Sequence, residues 1–359
     1  MRPAVPFSAT AADLSRGPLL VFWELTRACD LACTHCRACA RPARYPRELT
    51  TDDARRVIDD LTSFPAPPLL VLTGGDPLKR NDLDAIIAHA VRRGLRVALT
   101  PSATPLLTAD AIATRAALGV AAVALSLDGP DAATHDASRG VSGSFDRTTA
   151  AARTARDLGL HVQVNTTLTP ATLPLIESIA NRVAATGAGT WSVFFLVPVG
   201  RGRSQQRLTA AECEQAFGRL ATIAARHPFR VKTTEAPHYR RFLLEHGVPA
   251  GGPPTNDGRG VMFISHVGDV YPSGFLPVRC GRVPNDSAVT VYLKSPVFRA
   301  LREPARLGGK CGACPYNAVC GGSRARAFAV TGDWLAAEPD CAFVPPHCPA
   351  PQPREASSC

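Results

Sequence analysis

Between residues 19 and 199 short apolar runs alternate with amphipathic stretches, and this alternation constrains the fold more tightly than any other feature of the chain. The runs at 19–24, 69–73, 96–100, 121–127, 161–167 and 190–196 read as buried strands. The stretches between them, at 51–62, 81–92, 108–118, 144–158 and 172–185, carry helical spacing. Thr50 or Thr51 is placed to cap the first helix, with Asp52 and Asp53 in its first turn. Gly94 and Gly159 lie where helices should stop, and Pro170 and Pro174 mark the start of another. Strand and helix in repetition predict an α/β fold with a parallel sheet and right-handed crossovers. Periodicity alone leaves open a partial six-stranded barrel, a closed eight-stranded one and a doubly wound sheet.

The first apolar run delivers a sulfur-rich loop, Cys29-Asp30-Leu31-Ala32-Cys33-Thr34-His35-Cys36. Three thiolates so spaced can hold three irons of a cubane cluster and leave a fourth iron open to an outside ligand. A zinc loop completed by Cys39 or His35, or a ferredoxin-type cluster using Cys39, would use the same residues differently. The second run ends in Gly74-Gly75-Asp76-Pro77, a turn whose glycines permit close backbone approach. Sites on parallel barrels collect at the C-terminal ends of strands. Ser126 and Asp128 close the fourth predicted strand, and Asn165 and Thr166 the fifth.

On the cysteine loop and this glycine turn together, the chain resembles the radical S-adenosylmethionine (SAM) superfamily. The resemblance implies a partial (β/α)6 TIM-type barrel and a 4Fe-4S cluster on Cys29, Cys33 and Cys36 whose open iron binds SAM. It further implies that Gly74, Gly75 and Asp76, the last standing where many members have Glu, hold the methionyl amine of SAM. Ser126 and Asp128 would approach its ribose and methionine, and Arg139 would pair with its carboxylate. Each has a plainer reading: an ordinary turn, a satisfied strand end, a turn-opening Asp, an arginine on a solvated surface. In such enzymes the reduced cluster cleaves SAM, and the resulting 5'-deoxyadenosyl radical takes hydrogen from a substrate inside a capped barrel. A flavodoxin or ferredoxin is the expected electron donor.

Residues 1–18 read as a leader, 19–199 as the barrel, 200–258 as a bridge with a helix at 209–226, 259–348 as a second unit and 349–359 as a tail. The second unit opens with a hairpin, at 261–266 and 269–271 around Val267-Gly268. It then presents Cys311, Cys314, Cys320 and Cys341, enough thiolates for a closed site, with a structural zinc as the competing occupant. The segment resembles the SPASM or twitch extension of radical SAM enzymes, where these positions ligate an auxiliary 4Fe-4S cluster. A full SPASM extension holds two such clusters. Here Ser273 stands where a Cys commonly follows Tyr-Pro, and Ser323 and Arg324 occupy the zone where another is expected, so one auxiliary cluster is expected. Cys280 and Cys348 are spare thiols that would revise that count; Cys39, Cys213 and Cys359 are expected to have no metal role.

Within the superfamily the chain is similar to the haem-related branch, through Glu24-Leu25-Thr26-Arg27-Ala28-Cys29, His35-Cys36-Arg37-Ala38, Thr73 to Leu78, and Cys320-Gly321-Gly322 with Arg324-Ala325-Arg326-Ala327. That branch implies oxidative decarboxylation of a carboxylate-bearing small molecule, a tetrapyrrole propionate first and a sugar or nucleoside acid second. Arg299, Arg302, Arg306, Arg324 and Arg326 are the arginines expected to meet such carboxylates. A peptide maturase acting on a ribosomal precursor, and a non-enzymatic zinc or electron-transfer protein, are the competing functions. The net charge of +10 is spread over scattered arginines without the aromatic and basic interleaving of a nucleic-acid surface, so no nucleic-acid partner is expected. Lacking a long apolar run or a signal-like N-terminus, the chain is expected in the cytoplasm and away from membranes.

Overall fold

The structure, a computed structural model, describes residues 11–346, so Cys348 and Cys359 lie outside the described residues. After a short helix α1 (Ala11–Arg16), strands β1 (Leu20–Thr26), β2 (Leu69–Gly74), β3 (Val97–Leu99), β4 (Val120–Ser126), β5 (His161–Leu168) and β6 (Thr190–Phe195) follow in order, each parallel to the last. These are the six strands legible in the sequence. Two more parallel strands flank them: β7 (Arg230–Thr234) beside β6, and β8 (Val261–Ile264) beside β1. β9 (Asp269–Tyr271) and β10 (Gly281–Arg282) then add antiparallel, giving one sheet in the order β10-β9-β8-β1-β2-β3-β4-β5-β6-β7. The two ends of that order are not paired to each other, so the barrel stays open on one side.

β7 escaped the sequence reading because Arg-Val-Lys-Thr-Thr carries one apolar residue and no apolar alternation. The expected hairpin exists as β8 and β9, and its first strand also extends the barrel sheet, with Leu20 opposite Val261 and Trp23 opposite Ile264.

Helices α2 (Thr51–Leu61), α3 (Leu83–Arg92), α4 (Ala109–Ala117), α5 (Ala132–Arg139), α6 (Ser144–Asp157) and α7 (Ile176–Thr186) cross between the strands. Thr50 and Asp53 close a capping box on α2, satisfying two backbone N–H groups that a helix start leaves orphaned. The predicted start of α7 at 172 is instead a 3-10 turn, Leu173–Leu175, since Pro174 supplies no N–H and suits only a first turn. α5 went unread because it buries only His135. α8 (Ala210–Arg226) and α9 (His238–Glu245) fill the bridge; α10 (Ala288–Lys294), α11 (Pro296–Leu301), α12 (Gly309–Gly312) and α13 (Arg324–Thr331) complete the second unit. No helix among the described residues is long and apolar enough to cross a membrane.

Val21, Trp23, Leu25, Leu70, Leu72, Trp191 and Val193 turn outward and pack with Ile58, Ile86, Ile179, Val183 and Phe217 of the helices in one core. Each large side chain fully removed from water there contributes about 1.5–3 kcal/mol. By strand alternation the intervening residues face the lumen. Glu24, Ser126, Asn165, Ser192 and Lys232 are among them.

Candidate active site and a second thiol cavity

The cysteine loop leaves the C-terminal end of β1 and is held from several sides. Cys29 N–H donates to Arg41 O (2.8 Å), while Ala32 and Thr34 donate to Arg139 O and Ser138 O at the end of α5 (both 3.0 Å). From the loop after β6, Arg201 donates through Nε to Cys33 O (2.8 Å) and through its backbone N–H to Cys36 O (3.0 Å). Gly200, at φ 55°, lies so close that a Cβ there would sit 2.4 Å from Arg37 O. Sequence reasoning passed over Arg201, whose only signal was a place in a basic run.

Held this way, Cys29, Cys33 and Cys36 come together with Leu31, Ala40 and Val141. Leu31 N–H and Ala40 N–H donate to the sulfurs of Cys29 and Cys36 (3.4 and 3.5 Å), and Arg139 Nη1 lies 3.6 Å from Cys33 Sγ. Burial pushes the Cys29 thiol up. N–H donors and a guanidinium on a trio of sulfurs are the surroundings an anionic thiolate cluster needs, so the residues fit a cubane. Cys39 lies apart on an exposed turn at φ 48°, and His35 Nε2 faces Asp128 Oδ2 at 3.5 Å.

The glycine turn packs on this loop. A Cβ on Gly75 would fall 2.4 Å from Ala28 O, and Gly75 N–H and Asp76 N–H donate to Thr26 O and Ala28 O (2.8 and 2.7 Å). The close approach is thus to the protein's own β1 loop. Ser102 joins the two, accepting from the Cys29 thiol (3.4 Å) and donating to Gly75 O (2.6 Å). Asp76 is fully buried and accepts from Thr104 Oγ1 (2.7 Å) and Leu78 N–H (3.1 Å), so its carboxylate builds the turn.

Asp128 is buried too, ion-paired to Arg139 and accepting from Thr167 N–H (2.6 Å). Burial pushes its carboxyl up, but Arg139 and His35 outweigh that and hold it below the usual range. Arg139 is therefore a half-buried residue against the thiols, and the solvated-surface reading of it falls. Ser126 ends β4 on the lumen side opposite Asn165, whereas Thr166 faces the core, bonded to Trp191 Nε1 (2.8 Å). Near Cys36, Arg37 donates to Glu24 (2.6 Å) and stacks over Phe263 at 4.6 Å.

In the second unit all four expected cysteines, Cys311, Cys314, Cys320 and Cys341, line one cavity with His238, Arg241 and Lys310. Glu338 N–H donates to Cys311 Sγ (3.2 Å), Gly322 N–H to Cys320 Sγ (3.4 Å), and Arg324 reaches Cys311 Sγ at 3.8 Å. Burial, then the neighbouring thiols, push Cys320 up, so the charged sulfurs need a metal or these cations beside them. No group of His, Cys, Asp or Glu side chains among the described residues closes around a single ion. The donor set, four thiols with N–H donors and cations around them, fits a polynuclear cluster. Cys280 points away, donating to Val278 O at 3.3 Å.

Ser273 accepts from Phe275 N–H and Leu276 N–H (both 3.2 Å), and Ser323 caps α13 and donates to Glu235 (2.5 Å); both positions that lack a cysteine serve as turn or cap residues.

The arginines expected to meet substrate carboxylates require correction. Arg326 is 1% exposed and spends its guanidinium on Glu338 (3.1 Å), Asp340 (3.2 Å) and the carbonyls of Phe195 and Glu235. Arg324 serves Ala336 O (2.6 Å), Arg302 serves Tyr292 O (2.7 Å), and Arg306 pairs with Glu303 (2.5 Å). They build the second unit. Of the five, only Arg299 has no such role, and it lies exposed.

Comparison with known proteins agrees with this geometry. The Radical SAM superfamily signature matches residues 23–178. The AdoMet-dependent heme synthase of Nitratidesulfovibrio vulgaris is 40% identical over 353 residues, covering 94% of this chain and 95% of that protein. The chain belongs to the radical SAM superfamily, in its haem-related branch. The pre-heme d1 synthase of Dinoroseobacter shibae is 30% identical over 362 residues, covering 90% and 85%. Among solved structures, Streptococcus suis SuiB bound to S-adenosylmethionine shares the fold at a TM-score of 0.73 and 16% identity, over 91% of this chain and 78% of that one. As a radical SAM enzyme, the protein uses a 4Fe-4S cluster and SAM.

Proposed function

We propose that this enzyme oxidatively decarboxylates a propionate side chain of a tetrapyrrole, with Cys29, Cys33 and Cys36 as ligands of the SAM-binding cluster and Cys311, Cys314, Cys320 and Cys341 as ligands of one auxiliary cluster. When bound, SAM and its cluster supply one-electron cleavage to a hydrogen-abstracting carbon radical. The remaining work belongs to the chain. Arg139 and the N–H groups of Leu31 and Ala40 offset thiolate charge, and Asp128 holds Arg139 in place. The Gly75 and Asp76 turn, locked to the β1 loop, offers backbone beside the trio for SAM's methionyl end. Balance requires that the propionate lose carbon dioxide, one hydrogen atom and one electron to become a vinyl group, and a cluster held by Cys311, Cys314, Cys320 and Cys341 would supply an acceptor for that electron.

The observation that carries this reading is the meeting of three thiols at the barrel mouth, in a chain 40% identical to a heme synthase along 94% of its length. The test is anaerobic turnover of the reconstituted enzyme with SAM, a reductant and iron-coproporphyrin. Vinyl-bearing product and released carbon dioxide are expected. A modified peptide with no carbon dioxide would overturn the reading and favour a maturase.

A further inference from the structure

With four of the extension's five arginines committed to structure and Arg299 out on the surface, the barrel interior is the place to look for a carboxylate-recognising charge. Ser126, Asn165, Ser192 and Lys232 stand opposite one another in register across β4, β5, β6 and β7. Residues opposite one another on parallel strands face the same side, and Val231 beside Lys232 packs into the outer core. The row therefore runs along the lumen from the expected SAM side to a lysine.

Lys232 is half-buried and has no hydrogen-bond or ion-pair partner among the described residues. Its titratable neighbours offer no negative charge: Arg230, two residues earlier on β7, and the imidazole of His161 at the start of β5, which itself feels Arg96 at the foot of β3. The one carboxylate on the lumenal face of these strands is Glu24, and it is already taken by Arg37 (2.6 Å) and His266 (2.8 Å). A half-buried ammonium beside another cation and without a counter-ion costs folding free energy, and a ligand anion would offset that cost.

We propose that Lys232 is the substrate-docking cation of this enzyme, pairing with a propionate carboxylate of the tetrapyrrole lying along the Ser126-Asn165-Ser192 row. The assignment rests on the tetrapyrrole reading and names the residue by which that substrate is recognised. Along the same line Asn165, whose Oδ1 accepts from Gln163 Nε2 (2.7 Å), keeps its amide N–H groups for a ligand, while Ser192 is bonded to Thr234 Oγ1 (3.0 Å).

The test is fluorescence titration of the anaerobically reconstituted enzyme with metal-free coproporphyrin III and with its tetramethyl ester. For coproporphyrin III, Lys232→Met is expected to weaken binding by about 30-fold or more, as loss of one partner of a desolvated charge pair does. Lys232→Arg should stay within a few-fold of wild type, and the ester should bind wild type and Lys232→Met alike. A melting temperature no lower than wild type in Lys232→Met separates lost recognition from misfolding, and rescue by Arg does so independently. If Lys232→Met binds the acid as tightly as wild type, the assignment is wrong and the tetrapyrrole reading stands. If wild type binds neither porphyrin, or binds ester as well as acid, the substrate reading itself fails and takes the assignment with it.

Discussion

The two thiol sites are built from the same parts and differ in what they leave free. Around the second thiol cavity the arginines are answered nearby: Arg326 by Glu338 and Asp340 and, from the bridge, Arg241 by Glu214 and Glu245 (3.0 and 2.7 Å) and Arg207 by Asp340 (3.0 Å). At the barrel mouth Arg139 and Asp128 answer each other beside the trio, yet the lumen below keeps a lysine without a partner. A site whose charges cancel is suited to holding an electron carrier in one place. A site with a charge in reserve is suited to receiving something. The thiol counts say the same, four against three.

The comparison breaks first on metal content. Replacing Cys29, Cys33 and Cys36 together by Ala should remove roughly half of about eight irons and abolish SAM cleavage. Replacing Cys311, Cys314 and Cys320 together should remove a similar share but leave SAM cleavage measurable, uncoupled from product. Iron and sulfide analysis with 5'-deoxyadenosine quantification checks both. Equal loss of SAM cleavage in the two variants would mean that the sites are not separable.

A smaller effect should follow from Arg326→Met, which strands Glu338 in a site where the carboxyl is held at about 2. Burial pushes that carboxyl up, and Arg326 and His238 outweigh it. Breaking a buried pair costs about 3–5 kcal/mol, read as a fall in denaturation midpoint, with the triad at the barrel mouth still able to take up iron. Arg201→Met should cost less. It removes donors to Cys33 O (2.8 Å) and Ala40 O (3.3 Å) from a charged group, about 1.5–3 kcal/mol in stability of the loop, and should appear as faster iron loss from the first site with the second unchanged.

Much of this was legible beforehand, for reasons that separate one class of residue from another. Strands β1 to β6 were readable because their outward faces are apolar, and the cysteines that the fold gathers at two places because few chemistries space thiols that way. What stayed hidden depends on partners far away in sequence. Arg201 meets a loop 168 residues earlier, and Arg326 meets carbonyls 130 residues earlier. Arginine counts near the second unit suggested substrate binding because composition cannot distinguish a free guanidinium from a committed one. β7 hid because its lumenal residues are Arg230, Lys232 and Thr234, the same property that makes it interesting.

The finest distinction between the regions is in pH. Burial, then Arg230, lower the Lys232 ammonium from 10.5 to about 8, while burial, then Lys232 and Arg96, push His161 down as well. A lysine whose folded value lies below its unfolded one destabilises the fold while it is charged. Its penalty is full below about 8 and is relieved as pH rises from there towards 10.5, so the free enzyme should gain slightly in stability over that interval. Binding should move the opposite way: coproporphyrin III affinity should fall several-fold as pH passes about 8, because a ligand carboxylate needs the proton that Lys232 is then losing. Lys232→Arg should flatten the profile, since guanidinium keeps its proton throughout. Glu338, whose carboxyl burial pushes up but Arg326 holds down at about 2, stays charged across that range and should leave the iron of Cys311, Cys314, Cys320 and Cys341 indifferent to it. An affinity that falls equally in the Arg variant would place the titrating group elsewhere and remove the contrast between a lumen that keeps an unpaired cation and a thiol cavity whose arginines are committed.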